Sequence, residues 1–212
     1  MIRILPRAVP APPGKPVRAG ASEAQDRARR LALRPGTWTL DEATGLRGEF
    51  DQAAAEWNGD RGGYRPPVLA DALARGGPFR GSRAVEIASG TGLLTPLIRA
   101  VWPIVVSADL SFGMLSRATG GHRIQADASR LPLADGCADA VVLGDGPLFA
   151  AEVARVLADG APLIISNALG DGAPFRVPAE ELITAMTAAT SRPWNALQSK
   201  AHWGIWTILR PA

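Results

Sequence analysis

Cysteine is nearly missing from this chain. Cys137 is the single thiol among 212 residues, so no internal disulfide can form. Histidine is almost as scarce, with only His122 and His202. So few soft ligands offer no Cys/His metal cluster, and a metal-free protein in a reducing cytoplasm is the expectation. Long apolar runs are lacking too. No stretch approaches the ~20 residues that a membrane-spanning helix needs, and the first twenty residues lack the apolar core of about 7 to 15 residues that marks a secretory signal. These absences point to a soluble protein with no membrane partner. Lysine occurs twice against twenty-one arginines, a bias that fits a GC-rich bacterial genome better than phosphate recognition.

The length suits one well-buried domain with an appendage. Net charge is +3, but residues 1–35 hold eight basic groups against Glu23 and Asp26, while residues 36–212 sum to −3. A mildly acidic body neutralises phosphates poorly, so no nucleic-acid partner is expected.

Residues 1–20 contain five prolines and few large apolar side chains, which reads as an extended arm dispensable for folding. Ser22 caps an expected helix to Leu33, so residues 1–35 form a flexible basic arm and a short helix. Residues 36–80 form a helical cover. Phe50, Ala53, Ala54 and Trp57 fall on one helical face, Gly59, Gly62 and Gly63 open a loop, and Pro66 and Pro67 start a second helix ending at Gly76-Gly77-Pro78.

Residues 81–212 form the core. Ala84, Val85 and Ile87 make a strand that stops at Ala88-Ser89-Gly90-Thr91-Gly92, and Leu93, Leu94, Leu97 and Ile98 then recur at helical spacing with Pro96 in the first turn. Strand, glycine turn and helix create a concavity at the helix start that suits a polar cofactor. Strands then alternate with helices through residues 104–108, 122–126, 138–143 and 161–166, and two closing strands around Lys200-Ala201-His202 make an antiparallel hairpin. The expected architecture is α/β, a three-layer, Rossmann-like sheet of seven mostly parallel strands with the last strand antiparallel, plus the N-terminal helical cover.

Glu86, Asp109 and Asp127 stand at the ends of three successive strands, along one rim of a parallel sheet, where they would line a single crevice with the glycine turn. A carboxylate accepts two hydrogen bonds from a ribose diol, and Asp109 is placed to do so. Any one of these acids alone would read as a loop or cap residue.

The segments Val-Glu-Ile-Ala-Ser-Gly-Thr-Gly at 85–92, Ala-Asp-Leu-Ser at 108–111, Ala-Asp-Ala-Ser-Arg-Leu-Pro-Leu at 126–133 and Arg-Val-Leu-Ala-Asp-Gly-Ala at 155–161, with Phe112-Gly113-Met114-Leu115, resemble those of class I S-adenosylmethionine-dependent methyltransferases. The nearest likeness is to the small-molecule branch that includes ubiquinone and menaquinone C-methyltransferases. The resemblance implies S-adenosylmethionine as cofactor and S-adenosylhomocysteine as product. It assigns Glu86, Gly90 and Gly92 to the methionine part, Asp109 to the ribose hydroxyls and Asp127 with Ala128 to the adenine, and it adds Ala88, Ser89, Leu110 and Met114 to the cofactor-binding set. One departure is Ala88, where the family usually has glycine.

A methyl group would then pass to an oxygen, carbon or nitrogen of a small-molecule acceptor, with natural-product metabolism as one setting, in a monomer or homodimer. A base is needed for a hydroxyl or carbon acid, and Asp145, His202 and His122 are available in that order. Trp57, Trp194, Trp203 and Trp206 either wall an apolar acceptor pocket or pack the core. Two other readings stay open. One is a non-catalytic binding protein of the same fold. The other is a nicotinamide-dependent oxidoreductase, whose fingerprint would need a third glycine where Thr95 stands.

Overall fold

Val141, Val142 and Leu143 are buried without alternation, as happens in a strand covered on both faces by helices. The computed structural model describes residues 1–14, 21–34, 36–59 and 63–212. Residues 15–20 of the expected arm, Gly62 of the expected loop and the side chain of Ser22 lie outside the described residues. The chain runs β1 (Ile2–Ile4), α1 (Ala21–Leu33), α2 (Leu40–Ala53), α3 (Arg65–Arg75), β2 (Arg83–Ile87), α4 (Thr95–Arg99), β3 (Ile104–Asp109), α5 (Phe112–Leu115) and β4 (His122–Gln125). It continues through β5 (Ala140–Gly144), α6 (Ala150–Val156), β6 (Leu163–Asn167), α7 (Ala179–Thr190), β7 (Trp194–Ala201) and β8 (Gly204–Pro211).

The strands form one sheet in the order β1-β7-β8-β6-β5-β2-β3-β4. Strands β4, β3, β2, β5 and β6 are mutually parallel, and β8 runs antiparallel to both β6 and β7. The order reverses between β2 and β5, which pair directly. Crossovers on the two sides of that point leave for opposite faces of the sheet, so a crevice opens at the carboxyl ends of these two strands. One face buries Val85, Ile87, Val141, Leu143 and Leu163 with residues of α6, α7 and α1. The other buries Ala84, Val105, Ala140, Val142 and Ile164 against Val68, Leu69, Ile98, Trp102 and Trp206.

Local signals explain the elements that shape the crevice. Thr39 caps α2 in a full capping box with Glu42, Pro66 stands in the first turn of α3, and the Ser111 hydroxyl accepts the Met114 N–H at the start of α5.

Two expectations are corrected. Among the described residues the sheet has eight strands, not seven, and the additional one comes from the segment read as a free arm. Strand β1 pairs in parallel with β7. Beyond it, the Leu5 N–H donates to Gln198 O at 2.8 Å, the His202 N–H to Val9 O at 3.0 Å, and Trp203 Nε1 to Pro12 O at 3.0 Å. The physical reason is that β7 would otherwise be an edge, and an edge is capped by backbone groups that composition does not reveal. Leu5 and Val9 pack against the second core cluster and Ile2 against the first.

Deleting residues 1–14 should therefore lower the melting temperature measured by circular dichroism, by roughly 2–4 °C for each kcal/mol lost in a chain of this size. An unchanged transition would show that the added strand contributes nothing to stability.

Candidate functional site

The turn after β2 uses left-handed backbone at Ala88 (φ 55°), Gly90 (φ 56°) and Gly92 (φ 74°). For Ala88 this costs about 1–2 kcal/mol relative to a right-handed residue. The room for its methyl group comes from Gly146 on the other side of the crevice, where a Cβ would lie 2.5 Å from Ala88 Cβ. Asp109, at the end of β3, secures the turn. Its Oδ2 accepts the Gly90 N–H at 2.7 Å and its Oδ1 the Ser111 N–H at 2.8 Å. Burial pushes this carboxyl above the usual range, and the two backbone donors oppose that shift. Each oxygen keeps acceptor capacity toward the crevice, because a carboxylate has about four acceptor sites.

Glu86 does not join the crevice. Its side chain lies on the opposite face of β2, 2 % exposed, where Oε2 accepts Thr95 Oγ1 at 2.5 Å and Ser107 Oγ at 2.9 Å. Strand alternation is the reason: Val85 and Ile87 take one face, so Glu86 takes the other. Desolvation raises its carboxyl to about 7 against an ordinary 4.5. A raised acid favours the protonated form in the folded state, so its contribution is fully present below its unfolded value and is lost as pH rises toward about 7.

Of the residues singled out in the sequence, Ala88, Gly90, Asp109, Leu110, Met114, Asp127, Ala128 and Asp145 line the crevice. Ser89 and Gly92 are not part of the lining. A Cβ on Gly92 would lie 3.3 Å from Ala118 Cβ and Thr95 Oγ1, so this glycine serves the close packing of the turn.

Helix α2 and its flanks cover the opening. Trp38 Nε1 donates to Asp127 Oδ2 at 2.8 Å, and Asp51 Oδ1 accepts from Ser111 Oγ at 2.5 Å and from the Gly113 N–H at 2.8 Å. Thr91 Oγ1 and Asn58 Oδ1 share a further hydrogen bond at 2.5 Å. Gly90 faces Trp57, whose Nε1 would be 3.6 Å from a Cβ at that position. Trp38 also packs edge-on against Phe149 at 5.5 Å. The free volume left inside the crevice is about 60 Å³, room for a few waters and far less than a nucleoside needs.

A second cavity of about 260 Å³ adjoins the crevice between α1, α2 and the segments after β5 and β6. Phe50, Trp57, Arg65, Asp145 and Phe175 line both spaces. Asp145 has left-handed backbone (φ 51°), accepts the Ala168 N–H at 3.1 Å and lies 3.4 Å from Arg65 Nη2.

The two histidines are elsewhere. His202 turns the β7–β8 hairpin and packs against Trp203, and it lines neither cavity; burial lowers its pKa. The ring reaches neither space because the hairpin tip is packed under residues 9–12. His122 begins β4, at the amino end of a parallel strand, so it sits on the rim away from the crevice. Trp194 and Trp206 are core residues, and Trp203 packs on Tyr64, so only Trp57 of the four expected tryptophans reaches the cavities. Trp38, Phe175 and Arg65 line the crevice without having been singled out in the sequence. Arg65 directly precedes the two prolines that start α3, but one arginine among twenty-one carries no distinguishing signal.

Glu86→Gln should remove the pH dependence assigned above. Chemical denaturation at pH 5 and pH 8 should find the variant gaining stability relative to the parent at the higher pH; a constant difference would mean that Glu86 does not titrate there. Trp38→Phe should release one tether of the cover and quicken amide hydrogen exchange along α2 relative to the parent, since the bond to Asp127 is lost. Unchanged exchange would show that Trp38 is not a latch.

A family model described as "Methyltransferase domain" matches residues 85–165. The demethylmenaquinone methyltransferase of Corynebacterium kroppenstedtii is 33% identical over 99 residues, 42% of this chain and 42% of that protein. The match thus spans under half the length of that curated relative. Among solved structures, DhpI in complex with SAH superposes with a TM-score of 0.62 at 21% identity, covering 80% of this chain and 97% of that one. The [4+2]-cyclase SpnF superposes with a TM-score of 0.58 at 18% identity, covering 73% and 74%. At these identities the structures share the fold, and one of them is named for a reaction other than methyl transfer. The methyltransferase-domain match thus covers residues 85–165, the stretch that carries the glycine turn and Asp109, and the eight-stranded sheet around it shares its fold with these solved structures.

Proposed function

We propose that this chain transfers a methyl group from S-adenosylmethionine to a small-molecule acceptor. The observation that carries the reading is the junction of two spaces: a crevice bearing Asp109 and the glycine turn, and an aromatic-lined cavity that shares Asp145 with it. The donor set fits the cofactor. Asp109 has acceptor capacity for a ribose diol, Asp127 and Ala128 stand at the next strand end for the adenine, and the backbone at Ala88 and Gly90 lines the same crevice, where the methionine part would lie once the cover opens. When bound, S-adenosylmethionine supplies an electrophilic methyl group on a sulfonium.

The chain's own contribution is positional. The cover excludes water, and the two spaces hold nucleophile and cofactor side by side, which is the main demand of an in-line displacement. Asp145 stands where they meet and is the group for removing a proton from a hydroxyl or carbon acid. The nicotinamide reading loses support: Thr95 stands where a third glycine would be required, and its hydroxyl is committed to Glu86.

Asp109→Ala should weaken S-adenosylhomocysteine binding at least tenfold in calorimetry, since each charge-assisted bond lost is worth ~1.5–3 kcal/mol. Equal affinity in parent and variant would refute the cofactor assignment. Asp145→Asn keeps a residue type that tolerates left-handed backbone. It should leave cofactor affinity intact while abolishing transfer to a hydroxyl or carbon acceptor. Full turnover in that variant would remove Asp145 from the role of base.

A further inference from the structure

The cavity beside the crevice is walled by Phe50, Trp57, Tyr64 and Phe175, yet two guanidinium groups, Arg27 and Arg65, also line it. The Nε atoms of both are shielded from solvent and have no hydrogen-bond partner. Buried donors of this kind are nearly always satisfied in folded proteins, so an exception calls for a partner that is not part of the fold. Arg65 is only partly engaged, 3.4 Å from Asp145 and stacked 5.1 Å from the centroid of the Trp57 ring. Arg27 has neither an ion pair nor a hydrogen bond among the described residues. Glu49 lines the same cavity and forms no ion pair with either arginine. An anion entering the cavity would be drawn to Arg27 and Arg65 and held off Glu49.

The geometry points to an aromatic carboxylate as the acceptor class, with the ring between the aromatic walls and the carboxylate on the Arg27 and Arg65 Nε–H groups. A guanidinium presents a planar fork that matches a carboxylate, and an arginine buried beside aromatic faces keeps its charge. Occupation by such a molecule would also compete with Asp145 for Arg65, leaving the Asp145 carboxylate to the reacting hydroxyl or carbon. This inference rests on the methyltransferase reading for its term "acceptor", but the binding site itself does not.

The test uses the full chain with S-adenosylhomocysteine present and compares 2-naphthoate with its neutral analogue 2-naphthamide by calorimetry, with 2-naphthyl phosphate as a third arm. The expected result is a preference for naphthoate of tenfold or more over the amide, lost in Arg27→Gln and partly kept in Arg27→Lys, with S-adenosylhomocysteine affinity unchanged in both variants. Tighter binding of the phosphate ester than of naphthoate would overturn the carboxylate assignment. Equal or absent binding of naphthoate and naphthamide, or a preference that survives Arg27→Gln, would overturn the proposal. So would a loss of S-adenosylhomocysteine affinity on changing Arg27, which would place that guanidinium on the cofactor. Failure of the methyltransferase reading has a separate signature: no Asp109-dependent binding of S-adenosylhomocysteine, whatever the naphthoate arm gives.

Discussion

The Asp109 carboxylate joins the loop after β2 to the loop after β3, and the crevice depends on that junction. Without its two bonds to the Gly90 and Ser111 N–H groups, the glycine turn would lose the anchor that holds its left-handed residues in place, and α5 would lose a fixed start. The burial that raises its pKa is the same burial that makes it a strong acceptor, since a carboxylate in a poorly solvated site binds donors more tightly than one in water. On the proposed function, structural anchor and ligand acceptor are one group, and loss of the side chain would cost both at once.

The cover exploits this anchored floor. Asp51 uses the Ser111 hydroxyl that also caps α5, and Trp38 uses the Asp127 carboxylate. On the proposed function, the cover is fastened to polar groups that a nucleoside would also want, so ligand and cover would compete for the same partners. Opening would then be coupled to binding through exchange of hydrogen bonds, without a separate hinge motor.

Much of this was legible in the sequence because it follows from short-range rules. The glycine turn, the strand-end acids at 109 and 127, the Ser111 cap and the antiparallel closing hairpin are local patterns with local causes. What escaped depended on distance. Whether Glu86 faced the crevice was a question of strand register, and the apolar neighbours Val85 and Ile87 were the available clue. The pairing of β1 with β7 joins residues nearly two hundred positions apart through a backbone ladder with only Ile2, Leu5 and Val9 packed beside it, so no periodic side-chain pattern announces it. The gathering of Arg27, Arg65 and Phe175 around one cavity likewise arises from the packing of α1 and α3 about a shared loop, which no single stretch encodes.

The contact between Ala88 and Gly146 has an evolutionary consequence. The two positions sit on opposite lips of the switch point, and the space that one leaves empty is filled by the methyl of the other. A side chain at 146 would be admitted only by a chain carrying glycine at 88, so the two sites should drift together, each fixing what the other can become. A double-mutant cycle combining Ala88→Gly with Gly146→Ala would then return less damage than the single change at 146, a coupling expected of residues in direct contact.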